Sequence, residues 1–202
     1  MKDLSRLRSL DRRVLERSRD LVATVTDADL ARPTPCAGWT LRDLLSHMAG
    51  QHVGFATAAE GETADASGWR DADLGPDAAS ARAVYSASAA RVTAAFERDM
   101  PERGLWLPEI RTDAFFPPAV ALGFHLVDYV VHNWDVARTL GLASPDDEES
   151  AAAALEVALR VPDGPEFRGP GKAFAAVLPA PDGGSTLDRV LTVLGRSPDW
   201  TP

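Results

Sequence analysis

Three side chains that could bind a metal recur at helical spacing in one apolar segment of the chain. His125, Asp128 and His132 are separated by three and four residues, so in an α-helix their side chains lie on one face. The residues between them are largely apolar, which predicts a buried helix whose polar side chains need partners. A divalent metal is one such partner, and a hydrogen-bond network among the side chains is the alternative.

A second histidine, distant in the sequence, favours the metal. His47 lies beside the apolar stripe of another predicted helix, in which Thr40 and Asp43 resemble an N-terminal capping box. His52 lies about 140° further around that helix and is predicted to face solvent. Metal sites in helical bundles are built from inward side chains on facing helices, such as one histidine opposite an Asp-x-x-x-His pair.

The cysteine content narrows the chemistry. The single cysteine, Cys36, excludes an internal disulfide and a thiolate-rich structural zinc site. Any metal must therefore rest on imidazole and carboxylate groups, which suit zinc, nickel, iron or manganese. Cys36 precedes a helix whose dipole could activate a thiol, but we interpret it as a small buried hydrophobic residue.

Charge and hydropathy exclude two classes of partner. A formal net charge of −9 argues against a nucleic-acid partner. No apolar run approaches the roughly 18 residues that a membrane span needs, and no signal-peptide pattern is present. We therefore expect a cytoplasmic protein without a membrane partner, either a monomer or a homodimer.

Helical signals recur along the chain while strand signals are scarce, which predicts an all-α fold. Four long helices are predicted, and the long connection over 61–77, interpreted as mobile, permits a four-helix bundle with crossover topology. The helices run over about residues 3–26, from Thr40 onward, over 78–98 and from Pro117 to near Gly141.

The chain is predicted to consist of two parts. Residues 1–142 form the four-helix bundle, and residues 143–202 form a C-terminal extension packed on it. The extension carries helical patterns over 145–160 and 186–194. The proline- and glycine-rich stretch 161–184 between them is interpreted as a lid or brace that wraps the bundle, with a plain covering segment as the alternative.

Three separated motifs resemble an actinobacterial family. The first spans 33–47 (PTPCAGWTLRDLLSH), the second 131–138 (VHNWDVAR) and the third 194–200 (LGRSPDW). Together and in this order they resemble the metal-binding branch of the DinB/YfiT-like superfamily, which includes mycothiol-dependent maleylpyruvate isomerase and mycothiol transferases. The resemblance covers nearly the whole chain and implies a DinB-like four-helix bundle.

The resemblance also implies a ligand set. In this family a histidine of the second helix and two ligands of the fourth hold a divalent metal, and the matching positions here are His47, Asp128 and His132. We expect zinc or nickel. The family commonly has glutamate or histidine where this chain has Asp128, so His125 is the alternative third ligand.

Two further carboxylates lie at helical spacing from the predicted ligands. Asp135 follows His132 by three residues, and Asp43 precedes His47 by four. Each is predicted to accept a hydrogen bond from the neighbouring ring and to orient it. The alternative for each is an ordinary carboxylate on the helix surface.

The predicted function follows from the open coordination positions of such a site. A metal with two or three protein ligands can bind a low-molecular-weight thiol and make it nucleophilic at neutral pH. In the family that the chain resembles, this thiol is mycothiol, and its attack on a small electrophile gives a conjugate or a cis-trans isomerised product. The alternative is a non-catalytic bundle that binds a small molecule or partner, with the metal vestigial or absent.

Overall fold

The computed structural model describes residues 4–62, 66–170 and 172–202. The regular secondary structure of the described residues is helical apart from one short hairpin, which confirms the predicted all-α class. The elements are α1 (Leu4–Ala23), α2 (Leu41–Ala59), a 3-10 helix (Ala66–Trp69), α3 (Ala78–Glu97), β1 (Leu105–Trp106), β2 (Phe115–Phe116), α4 (Pro118–Leu140), α5 (Glu148–Ala158) and α6 (Thr186–Val193). The pattern of the sequence did not predict the hairpin or the 3-10 helix.

The helices that carry the candidate ligands begin and end where local chemistry dictates. Thr40 caps α2, and the reciprocal bonds between its side chain and Asp43 complete the predicted capping box. Helix α4 has Pro118 in its first turn, where a missing backbone N–H costs nothing. It ends at Gly141, whose φ of 73° lies in the left-handed region that glycine tolerates.

The four long helices form a bundle in which α2 and α4 are neighbours. Helix α1 packs against α3 and α4, and α2 packs against the same two helices, so the α1/α3 and α2/α4 faces lie on opposite sides. Ring contacts show that α2 and α4 run antiparallel. His47 meets His132, whereas Phe55, further along α2, meets His125, earlier on α4.

The connection between α2 and α3 is fixed to α2 over 66–77, although the sequence predicted a mobile segment; residues 63–65 lie outside the described part. The amide of Ala72 donates to the carbonyl of Ser46 at 2.9 Å. A Cβ atom on Gly50 would lie 2.3 Å from the carbonyl oxygen of Arg70. This close approach of two backbones places Asp71 beside the candidate site.

Replacing Gly50 by alanine should therefore destabilise the protein. The added methyl group overlaps backbone, which cannot move as a flexible side chain would, so we expect a loss of about 1–3 kcal/mol in the free energy of unfolding. Urea denaturation measures this loss. The control is Gly68→Ala, since its Cβ would lie 3.9 Å from the nearest atom, the Oγ1 of Thr57. Equal stability of the two variants would contradict the close approach.

The C-terminal extension packs on the bundle through α5, and α6 packs on α5. The loop between them is held by the buried side chain of Arg168, which is 6% exposed. Its guanidinium donates to four backbone carbonyls, those of Val161, Pro162, Ala175 and Val193. This arrangement fits the predicted brace. The boundary at residue 142 stays a prediction. No helix of the described ranges is both long and apolar enough to span a membrane.

The junction of α4 and α5 carries two adjacent carboxyl groups in opposite environments. Burial raises the pKa of Asp146 to about 7, and the hydrogen bond from Asn133 and the charge of Arg17 only partly oppose this. Burial would also raise the pKa of Asp147, but Arg17 and Ser150 donate hydrogen bonds to it and lower its pKa overall. Asp146 therefore costs stability when it ionises, whereas Asp147 contributes stability.

The variant Asp146→Asn should stabilise the protein at mildly alkaline pH. Because its folded pKa is raised above 3.8, Asp146 is most favourable when protonated, and that stability is lost as pH rises through about 7. The difference between the folded and unfolded pKa values of Asp146 corresponds to a loss of about 4 kcal/mol at most in the free energy of unfolding. Urea unfolding at several pH values should show that the free energy of unfolding of the variant increases relative to that of the wild type as pH rises. Asp147→Asn is the matched control and should destabilise; a loss of alkaline stability in Asp146→Asn would contradict the assignment.

Candidate functional site

The residues that the sequence singled out as ligands meet between α2 and α4, at a site that we call the groove. Helix α2 contributes His47 and, one turn later, Gln51; helix α4 contributes Asp128 and His132. The side chain of Asp128 is 35% exposed, while that of His132 is 7% exposed. A polar wall at this depth can be reached by a small molecule and is still shielded from most of the solvent.

His132 is held from both sides of its ring. Its Nδ1 atom lies 2.9 Å from Oδ2 of Asp135, a hydrogen bond that leaves Nε2 facing the groove. The Nε2 atom lies 3.4 Å from Oδ1 of Asp128. This separation is long for a hydrogen bond. It matches the distance of about 3.4 Å between two ligands that each stand about 2.1 Å from one tetrahedral ion.

The electrostatics of this pair bear on metal binding. Burial would lower the pKa of His132, but the negative charge of Asp128 and the hydrogen bond with Asp135 raise it well above its usual value. Burial would raise the pKa of Asp128, but the same interaction with His132 lowers it. Without a metal, the two residues therefore form an ion pair, and an ion bound at Nε2 must displace a proton.

His47 faces His132 across the groove. The two ring centroids are 5.8 Å apart, and Trp39 packs against the His47 ring at 5.0 Å. The Nδ1 atom of His47 lies 3.3 Å from Oδ1 of Asp71. The sequence predicted that Asp43 accepts a hydrogen bond from the His47 ring and orients it. The carboxylate of Asp43 is instead bound to Thr40 in the helix cap. Asp71 could not be found from helical spacing because it comes from the connection packed on α2.

His125 is not part of this groove. It is fully buried, and its Nδ1 atom lies 2.7 Å from Oδ1 of Asp11 on α1. The prediction that His52 faces solvent is wrong: it is also fully buried, with Nδ1 2.9 Å from Oγ of Ser88. Both rings stack on Tyr129. Asp128, and not His125, is the residue that the structure places beside His132.

Behind His132 lies a charged cluster of which the sequence predicted one contact, the hydrogen bond between Asp135 and the His132 ring. The guanidinium Nε of Arg196 is 3.1 Å from both oxygens of the buried Asp135. The thiol of Cys36 lies 3.4 Å from Oδ2 of Asp135 and 3.7 Å from Nη2 of Arg196. Cys36 is thus half-buried, with its sulfur in contact with this polar cluster while the residue also packs against the hydrophobic core. Cys36 and Arg196 both stand in motifs quoted above, and for Arg196 that motif was the only signal in the sequence.

The donor atoms of this cluster are also close enough for a metal. Within the described ranges, Cys36, His132 and Asp135 are the one group of three ligand side chains whose donor atoms lie within 4.8 Å of one another. The guanidinium of Arg196 already supplies a positive charge there. On the other side of the ring, Nε2 of His132 faces a carboxylate and no described cation. Among the described residues, the donor atoms of His47, Asp128 and His132 do not all lie within 4.8 Å of one another, so the His47 ring would have to move toward Asp128 and His132 for the three to share one ion. The ligand set itself stays a prediction.

Metal binding in the groove should release a proton. His132 carries a proton at neutral pH because Asp128 raises its pKa, and the metal must replace it. Calorimetric titration with zinc in buffers of different ionisation enthalpy should show about one proton released per ion at about pH 7. The variant Asp128→Asn should bind the ion more weakly and release fewer protons. Stoichiometric binding without proton release would place the ion away from His132.

The fold and the groove together define a DinB-like four-helix bundle with a histidine and carboxylate site between α2 and α4. The family model of the mycothiol maleylpyruvate isomerase N-terminal domain matches residues 12–137. The chain therefore belongs to this family. The matched region contains every residue of the groove described above.

Two comparisons with individual proteins agree with this family. The chain is 32% identical over 179 residues to an uncharacterized protein of Mycobacterium tuberculosis, found in two strains, covering 88% of this chain and 90% of the relative. The crystal structure of a mutant of the mycothiol-dependent maleylpyruvate isomerase has a similar fold, with a TM-score of 0.58 and 14% identity. That match covers 77% of this chain and 68% of the other, and at this identity it shows the fold alone.

Proposed function

We propose that this protein uses a divalent metal in the α2/α4 groove to transfer a low-molecular-weight thiol to a small electrophile, or to isomerise that electrophile. The observation that carries the proposal is the setting of His132, with Nδ1 held by Asp135 and Nε2 3.4 Å from Asp128. Membership of the mycothiol maleylpyruvate isomerase family supports mycothiol as the thiol. Zinc or nickel suits a site of two imidazoles and one carboxylate.

The metal, when bound, would lower the pKa of a thiol so that it reacts as a thiolate near neutral pH. His47, Asp128 and His132 are the residues that would hold it. Asp135 fixes the orientation of the His132 ring and keeps a hydrogen bond on Nδ1, so Nε2 is the donor atom. Trp39 packs on the ring of His47 and limits its rotation.

The reaction needs an exogenous thiol because Cys36 is badly placed to act as the nucleophile. Its sulfur is engaged with Asp135 and Arg196, on the side of His132 that faces away from Asp128. In transfer, the thiol sulfur forms a bond to carbon, the leaving group departs with its electron pair, and the thiol proton passes to solvent. In isomerisation, the sulfur adds to a cis double bond, the resulting single bond rotates, and the sulfur is expelled.

Metal analysis of protein purified without a histidine tag is the first test. The wild type should carry about one divalent ion per chain, while His47→Ala and His132→Ala should lose it. Because His132 is buried, circular dichroism must show that each variant remains helical. Glu16→Gln, on the opposite α1/α3 face, is the control and should retain full metal. Full metal in both histidine variants would place the site elsewhere.

The second test measures turnover. Metal-loaded protein with mycothiol should accelerate conjugation of chloroarenes or isomerisation of cis-enones above the thiol-only background, followed by mass spectrometry and NMR. Removing the metal should return the rate to background, and Cys36→Ser should retain most of the activity. A metal-loaded protein with no rate above background would instead indicate a protein that only binds small molecules.

A further inference from the structure

We infer that the groove selects electrophiles that are uncharged or positively charged, and that it disfavours carboxylates. This inference rests on the proposed function and names the substrate class of the same site. It is based on the charges that the described residues place at the rim. Three carboxylates stand there, and each contacts a side chain of α2 or α4. Asp71 contacts His47, Glu109 contacts Gln51, and Asp128 contacts His132.

Asp71 is a fixed feature of the rim. Its side chain is 63% exposed, and its Oδ1 atom lies 3.3 Å from Nδ1 of His47. The backbone around it cannot move away freely, because Ala72 is bonded to Ser46 and the carbonyl of Arg70 lies against Gly50. An incoming molecule that reaches His47 therefore passes a carboxylate whose position is set by the fold.

Glu109 adds a second negative charge beside the groove. Its Oε2 atom accepts a hydrogen bond from Nε2 of Gln51 at 2.7 Å. Gln51 follows His47 by one turn of α2 and is 5% exposed, so the amide fixes an exposed carboxylate next to the groove wall. The glutamate belongs to the segment between β1 and β2, which lies near α2.

Two guanidinium groups of this region have their N–H donors engaged elsewhere, and of these two Arg196 is the one paired with a carboxylate. Arg196 binds both oxygens of Asp135 on the far side of the His132 ring. Arg42 donates to the carbonyls of Gly75 and Pro76. A divalent ion in the groove would offset Asp128 and one rim carboxylate and would leave the other rim carboxylate uncompensated. Arg70, the exposed neighbour of Asp71, adds a positive charge beside the rim, and the test therefore includes a variant at this residue.

The test uses three electrophiles with the same reacting carbon and different charge: chloronitrobenzoate, chloronitrobenzamide and chloronitrobenzyl-trimethylammonium. With mycothiol, the sulfur forms a bond to the ring carbon, chloride leaves with the electron pair, and the thiol proton goes to the buffer. Each rate on metal-loaded protein is divided by its own thiol-only rate. We expect the normalised kcat/KM of the cation and the amide to exceed that of the carboxylate by about tenfold or more.

Binding provides a readout that does not depend on turnover. The analogues that lack chlorine cannot react, and calorimetry on metal-loaded protein should give the same order of dissociation constants. Asp71→Asn and Glu109→Gln should each reduce the preference for the cation over the anion by about threefold to tenfold. Added salt should reduce it as well. Glu16→Gln makes the same charge change on the opposite face and should leave the preference unchanged.

The outcomes separate this inference from the proposed function. If no electrophile is turned over but the analogues bind in the expected order, the catalytic proposal fails and the charge selectivity stands. If turnover occurs but the carboxylate is preferred, or if Asp71→Asn and Glu109→Gln change the preference no more than Glu16→Gln does, the inference is wrong. A loss of carboxylate binding in Arg70→Gln would identify Arg70 as an anion site and would also overturn it.

Discussion

The structure around the site depends on one buried carboxylate, that of Asp135. A fully buried charge is costly unless it is paired and hydrogen-bonded. Burial would raise the pKa of Asp135, but the charge of Arg196 and the hydrogen bond with His132 keep it low. Its partners come from three parts of the chain: Cys36 from the loop before α2, His132 from α4 and Arg196 from the segment after α6. The carboxylate thus joins the C-terminal extension to the bundle and orients His132.

The bundle contains two pairs of histidines in successive layers, and their surroundings assign them different roles. His47 and His132 lie in the groove, where Asp128 is partly exposed and a ligand can approach. His52 and His125 lie one layer deeper and are fully buried, with Asp11 and Ser88 as their polar partners. The antiparallel packing of α2 and α4 creates both layers. Solvent access, rather than residue type, makes the first pair the candidate ligands.

The sequence predicted those features that local rules control. Capping at Thr40, the proline at the start of α4 and the ending at Gly141 were all predicted, because each depends on neighbouring residues. The pairing of Asp128 and His132 follows from a spacing of four residues. The role of Asp71 was not predicted, because its position depends on how a connection packs against glycines of α2. The burial of His52 was missed because α2 is surrounded by other elements on most sides. The angle of His52 around the helix therefore did not show whether it faces solvent.

The cluster around Asp135 also explains why the positive and negative charges of the site lie in different places. Arg196 has its charge taken up by Asp135, which is 0% exposed, so this guanidinium contributes little to the field that a ligand meets in the groove. The carboxylates of Asp71, Asp128 and Glu109 have no such partner among the described guanidinium groups, and they stand toward the solvent side. The positive charge of the site is therefore used for holding the structure together. The negative charge is left on the solvent side of the groove, where the proposed function would have a substrate enter, and a bound divalent ion would offset only part of it.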